Sequence, residues 1–171
     1  DENQQVLYNY YQDLSHNKSY FRLRQGEGAI VIADLPPSDE LIIDYYKFNT
    51  PNTLENRVAI LGYSPVTIND GLGWVIHWTP RATSSATDYH FFNHLYDSAG
   101  TKIGQSDAAS YPSYQWKDGD RVMSLFTTST VTAPKFLKVG MYTYPDMQTI
   151  YFVDNSGKPV STNVSSIWHS N

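Results

Sequence analysis

Between Leu72 and Asp97 the chain reads LGWVIHWTPRATSSATDYHFFNHLYD, two apolar stretches around a polar connection. The first alternates. Trp74, Ile76 and Trp78 fall on one face of a strand over Trp74–Thr79, and Val75, His77 and Thr79 on the other. The second, Tyr89–Tyr96, is so densely aromatic and aliphatic that it predicts a strand covered on both faces. Asp97-Ser98-Ala99-Gly100 supplies turn chemistry before a further strand, Thr101–Gln105. Two indoles on one face of a short strand require a facing sheet about 10 Å away to receive them, which predicts a sandwich core.

The same reading extends along the chain. Leu7, Tyr10, Tyr11 and Leu14 follow helical spacing and predict one short helix over Asn3–Leu14, with Asp1 and Glu2 at the favourable end of its dipole. Strands are predicted over Phe21–Arg24, Gly28–Ala33 and Leu41–Phe48, with Leu35-Pro36-Pro37-Ser38 as a break. Asn49–Asn56 is polar and aperiodic and marks an internal boundary. Beyond it come Arg57–Tyr63, the short run Val66–Ile68 and the central pair of strands. An irregular aromatic loop, Ala108–Asp120, then precedes strands over Arg121–Thr128, Lys135–Tyr144 and Thr149–Val153. Asp154-Asn155-Ser156-Gly157 repeats the Asp-x-x-Gly turn of Asp97–Gly100, so the second half reads as an antiparallel meander. Ser161–Asn171 is a polar tail that Trp168 can pin to the body.

The expected fold is therefore all-β: an antiparallel two-sheet β-sandwich, jelly-roll-like, with one short N-terminal helix. Residues 1–55 form a helix and strand segment packed on a sandwich domain of residues 56–171. Trp74, Ile76, Trp78, Phe92, Leu95, Leu125, Val139 and Met141 are the expected core.

Composition narrows the function classes. With 171 residues the chain can bury one substantial core. Lys+Arg 12 against Asp+Glu 17 leaves a net charge of −5 and no basic stripe, which argues against nucleic acid and against adhesion to anionic lipid. The absence of cysteine removes disulfides, thiolate metal sites and a thiol nucleophile, and suits a bacterial extracytoplasmic domain. No apolar run is long enough to span a bilayer, so direct membrane insertion by this segment is not expected, and the chain reads as a mature form or the soluble part of something larger.

Arg57–Tyr63 (RVAILGY), Val75–Trp78, Asp88–Asp97 (DYHFFNHLYD), Tyr111–Val122 (YPSYQWKDGDRV) and Lys138–Tyr142 (KVGMY) occur in that order. In this succession the chain resembles the extracytoplasmic β-sandwich domain appended to bacterial polyprenyl-phosphate-dependent membrane glycosyltransferases. The shared features are a Leu-Gly-Tyr strand end, Phe-x-His-Leu-x-Asp, Tyr-Pro-x-x-x-Trp-x-x-Gly-Asp and Gly-Met-Tyr, spanning roughly Arg57 to Phe152. The resemblance implies a fold and an extracytoplasmic location. It implies no chemistry, because the catalytic carboxylates of such enzymes lie in membrane-side loops.

The side chains give little support to catalysis. Asp88, Asp97, Asp107, Asp118, Asp120, Asp146 and Asp154 sit in turns or at strand ends, and no spacing singles out a glycosidase pair. His90 and His94 share a face, and His77 on the neighbouring strand can join them as zinc ligands only if the three converge. Phe92 between His90 and His94 argues instead for a packed layer, with His94 as a hydrogen-bonded core residue. No loop carries the Asp/Asn density of a calcium site, no Gly-x-Ser-x-Gly elbow marks a serine nucleophile, and no cofactor is expected.

A binding surface remains. Tyr111, Tyr114, Gln115, Trp116 and Asp118 cluster in the aromatic loop, where ring faces can stack on sugars and amides or carboxylates can take hydroxyls. The other reading of the loop makes Trp116 a cap over the end of the sandwich, with Tyr111-Pro112 fixing the path. The expected function is a non-enzymatic extracytoplasmic accessory domain of a glycosyltransferase-like bacterial membrane protein. Its expected partner is cell-envelope polysaccharide or the parent transmembrane domain. A free-standing carbohydrate-binding module and a glycan-active enzyme are the alternatives.

Overall fold

The computed structural model describes residues 2, 5–9, 22–26, 29–33, 45–81, 84–130 and 132–170. Residues 5–9 are helical and bury Leu7, within the expected helix; Tyr10, Tyr11 and Leu14 lie outside the described residues. In chain order the strands begin with β1 (Arg22–Gly26), β2 (Ala29–Ala33), β3 (Tyr46–Lys47), β4 (Val58–Val66), β5 (Leu72–Pro80), β6 (Asp88–Tyr96) and β7 (Lys102–Gln105). They continue with β8 (Ala108–Ala109), β9 (Arg121–Thr128), β10 (Phe136–Tyr144), β11 (Thr149–Ile150), β12 (Phe152–Val153), β13 (Pro159–Ser161) and β14 (Val164–Ile167). The expected strand Leu41–Phe48 is represented by β3, since residues 41–44 are not among those described. Among the described residues no helix is long and apolar enough to cross a membrane.

The fold is all-β and antiparallel. One sheet has the order β1-β2-β9-β5-β4-β3, and the other runs β11-β10-β6-β7 with β14 also on β10 and β8 also on β6. Side chains from both sheets share one core that includes Trp74, Ile76, Trp78, Phe91, Leu95, Val139 and Met141.

Burial separates the two central strands differently from the sequence expectation. Strand β5, flanked by β9 and β4, is buried on both faces: Trp74, Ile76 and Trp78 enter the core, and Val75, His77 and Thr79 are covered on the opposite side. Tyr45 stacks on His77 there, with ring centroids 4.9 Å apart. Strand β6, expected to be covered twice, is covered once. Phe91, Asn93 and Leu95 point inward, and His90, Phe92, His94 and Tyr96 are partly exposed. Phe92 is therefore not a core residue, because the period of two gives that place to Phe91. Leu125 is likewise only partly buried, because Val122, Ser124 and Phe126 of β9 take the inward positions.

The tryptophans place polar atoms in this core, and each one is paired. Trp74 Nε1 donates to Asn93 Oδ1 at 2.9 Å, a bond that joins β5 of one sheet to β6 of the other. Trp78 Nε1 donates to Ser124 Oγ at 2.8 Å, and Ser124 Oγ in turn contacts Ser110 Oγ. A net bond of this kind contributes about 1 kcal/mol, but leaving the buried donor unpaired costs about 1–3 kcal/mol, so the pairing specifies how the sheets face each other.

Local chemistry fixes the hairpins. In the β6–β7 turn Asp97 Oδ1 accepts from the backbone N–H of Ala99 and of Thr101, both at 2.9 Å. In the β12–β13 turn Asp154 Oδ1 accepts from the N–H of Ser156 at 2.8 Å and of Lys158 at 3.0 Å. Gly100 and Gly157 take φ +80 and +83 in the corresponding places, a region L side chains rarely enter. The tail is more than a pinned end. Its residues Val164–Ile167 form β14 on Phe136–Val139, and Trp168 stacks on Tyr63 while meeting Trp74 edge-on. Tyr63 Oη closes the clamp, donating to Ile167 O and accepting from His169 N, both at 2.8 Å.

Candidate functional site

The aromatic loop divides between core and surface. Ser113–Gln115 makes one 3₁₀ turn after Pro112, and Trp116 folds back beneath it. Trp116 is 4% exposed: its ring stacks on Tyr89 and meets Trp78 edge-on at 5.5 Å, and its Nε1 donates to Tyr111 O at 2.9 Å. Tyr111 is also buried, its Oη donating to Gln115 O at 2.9 Å. These two rings cap the end of the sandwich. Tyr114 is 66% exposed, and Gln115 and Asp118 are exposed beside it, so the loop offers one open ring rather than three. Asp120 closes the loop by accepting from Lys117 N at 3.1 Å.

The histidines do not converge. His77 lies on the far side of the first sheet, buried, with Nε2 3.0 Å from Ser64 Oγ. Burial pushes its pKa down to about 3, with the Arg121 guanidinium adding to the effect, so the ring is neutral. His90 and His94 do share a face with Phe92 between them, as expected. Four residues along a strand separate them by about 13 Å, however, whereas two imidazoles on one zinc place their nitrogens within about 4 Å of each other. Each turns to its own carboxylate instead: His90 to Asp88 at 3.8 Å and His94 to Asp107 at 3.9 Å. Among the described residues no group of three His, Cys, Asp or Glu side chains is arranged to hold a metal. The carboxylates of Asp97 and Asp154 are engaged by turn N–H groups, and that of Asp146 accepts from Thr143 Oγ1 at 2.8 Å.

What the fold does assemble is the outer face of the second sheet. Its centre is the β6–β10 pair, in which Asp88 lies opposite Tyr144, His90 opposite Tyr142, Phe92 opposite Gly140, His94 opposite Lys138 and Tyr96 opposite Phe136. The inward residues of both strands fill the core, so alternation turns this second set outward. Gly140 is the low point. A Cβ there would come 2.2 Å from Phe92 Cζ and 2.5 Å from the Thr162 carbonyl oxygen, so the Phe92 ring lies over the glycine where no side chain fits. The Phe92-x-His94-Leu95 and Gly140-Met141-Tyr142 segments thus meet in one contact.

Around that contact the face is aromatic at one end and cationic at the other. Tyr144, 50% exposed, stacks on His90 with centroids 4.4 Å apart and planes 10° from parallel, and Tyr142 leans on the same histidine at 5.6 Å. Toward the other end His94 packs on Phe92 at 5.0 Å, and Lys138 Nζ sits 4.4 Å above the Tyr96 ring. The Tyr142 hydroxyl is held above its usual pKa by burial and by the Asp107 charge. The spacing of His90, Phe92, His94 and Tyr96 was visible in DYHFFNHLY. That KVGMYTY runs alongside, supplying the tyrosines and Lys138, has no local signal.

Comparison of the chain with protein-family models, with curated proteins and with solved structures finds no match.

Proposed function

We propose that the chain is a non-enzymatic, extracytoplasmic accessory domain of a glycosyltransferase-like bacterial membrane protein, and that it holds cell-envelope glycan on the outer face of its second sheet. The observation that carries this reading is the Tyr144–His90 stack beside Tyr142, with the Tyr144 ring half open to solvent on the outer face of the sheet. Such faces match the apolar side of a sugar ring, and the flanking Asp88, Asp107, His94 and Lys138 supply donors and acceptors for hydroxyls. The succession of motifs from Arg57 to Phe152 supports the extracytoplasmic setting. A non-enzymatic role suits the carboxylates of the face, each turned to its own histidine on separate rows of the sheet.

Contact with one or two sugar faces is small, so affinity of the order of 0.1–1 mM is expected. A glycan array probed with the wild type and with the Tyr142→Ala/Tyr144→Ala double variant tests the assignment. Binding by the wild type, lost in a variant whose melting temperature is little changed, supports it. A wild type that retains no glycan, or a double variant that binds equally well, overturns it.

A further inference from the structure

The outer face is not symmetric in charge, and this bears on what kind of glycan it takes. At the Tyr96 end the register sets Gln105, His94, Lys138 and Ser165 in one row across the sheet, and Lys102 opposite Tyr96 in the next. Lys138 is partly buried, with its ammonium held over the Tyr96 ring, and Lys102 Nζ donates to Gln105 Oε1 at 2.6 Å. Among the described residues the ion pairs are His90–Asp88 and His94–Asp107, so neither lysine has a carboxylate within salt-bridge reach. Asp107, the carboxylate beside His94, also accepts from the backbone N–H of Asn93 at 3.3 Å, and Asp97 is engaged by the turn N–H groups of Ala99 and Thr101. Two lysines outside any ion pair therefore flank Tyr96 from the strands on either side of β6, in a protein of net charge −5. Burial keeps His94 below its usual pKa; the Asp107 charge opposes that, and Lys102 and Lys138 add to it.

We infer that the glycan held on this face is an acidic polysaccharide, its carboxylate or phosphate seated between Lys138 and Lys102 and a sugar ring several residues further along the polymer laid on Tyr142 and Tyr144, four and six positions along the strand from Lys138. This rests on the glycan-binding reading above and adds to it the chemical class of the ligand. Lysine suits the task as a point charge that can follow an anionic substituent without demanding a fixed planar geometry. The ring stack supplies contact that is indifferent to charge, and the corner supplies the selection.

The test uses matched polymers on the intact chain. Polygalacturonate, alginate and a phosphomannan form the acidic set; methyl-esterified pectin, mannan and dextran form the neutral one. Retention by at least one acidic polymer, about tenfold or more above its neutral counterpart and falling as salt is raised from 0.05 to about 0.5 M, is the expected result. Lys138→Met and Lys102→Met should each weaken acidic binding several-fold, while Lys47→Met, which removes a charge from the other sheet, should leave it unchanged. If a lysine variant fails to fold, the salt titration of the wild type still decides. Equal retention of both sets, or insensitivity to salt, overturns the acidic assignment and leaves the glycan-binding reading standing. Retention of no polymer overturns both.

Discussion

The bond between Trp74 Nε1 and Asn93 Oδ1 ties the two sheets through the middle of the core, and its removal can be given a magnitude. Asn93→Ala leaves the indole N–H without a partner, and Trp74 is fully buried, so water cannot replace the amide. An unsatisfied buried donor costs about 1–3 kcal/mol, and the space vacated by the amide adds about 1 kcal/mol. The second lost bond, from Asn93 Nδ2 to Ser106 O at 3.1 Å, matters less because Ser106 is only partly buried. A total of about 2–4 kcal/mol follows, and a loss of about 3 kcal/mol in a chain of this length lowers the melting temperature by about 6–12 °C. Urea unfolding of Asn93→Ala, Trp74→Phe and the double variant isolates the pair, with Trp78, Trp116 and Trp168 as fluorescent reporters. The expected coupling is about 1–2 kcal/mol with unchanged m-values. Additive single effects, with coupling below about 0.3 kcal/mol, would refute the claim that this bond fastens the sheets.

Trp116→Ala should cost about 3–5 kcal/mol by chemical denaturation, because the ring is packed between Trp78 and Tyr89, whereas Tyr114→Ala in the same loop should stay within about 0.5 kcal/mol. Trp116 would be a surface platform after all if the two variants proved equally stable. His77 gives a pH signature. Its folded pKa of about 3 lies below the ordinary 6.5, so the unfolded chain takes up a proton first as the pH falls. The stability present above pH 6.5 is therefore lost progressively down to about pH 3, at up to about 1.4 kcal/mol per pH unit. His77→Gln should flatten that slope relative to wild type in urea titrations at pH 7, 5 and 4, and identical slopes would refute it.

Most of the strands were legible because their periodicity is local. WVIHWT alternates in the sequence and RVMSLFTT is a short apolar run, and they form β5 and β9 with boundaries within two residues of expectation. The Asp-x-x-Gly turns were legible for the same reason: a short carboxylate caps the N–H groups two and four residues on, and glycine alone takes the positive φ comfortably. The segments YPSYQWKDGDRV and KVGMY drew notice to Trp116 and Gly140 in the sequence but gave them no partners.

Which face of a strand meets the core, and which strands lie side by side, are decided by contacts between residues far apart in the chain. Phe91 and Phe92 are chemically identical, and only the packing of β6 opposite Trp74 and Trp78 makes one core and the other surface. Strand β9 enters between β2 and β5, and β10 between β6 and β14, so the second half is not the meander that its two hairpin turns suggested. The tail had no apolar alternation to announce a strand; β14 forms because β10 offers it a free edge and Tyr63 clamps its end. The candidate binding face arises in the same way. Its histidines and Phe92 come from β6, its tyrosines and Lys138 from β10 and its second lysine from β7, and no sequence window contains them all. Local patterning specifies the elements because backbone geometry has a fixed period. The site depends on the order in which the sheet assembles them, and burial of the core across the whole chain sets that order.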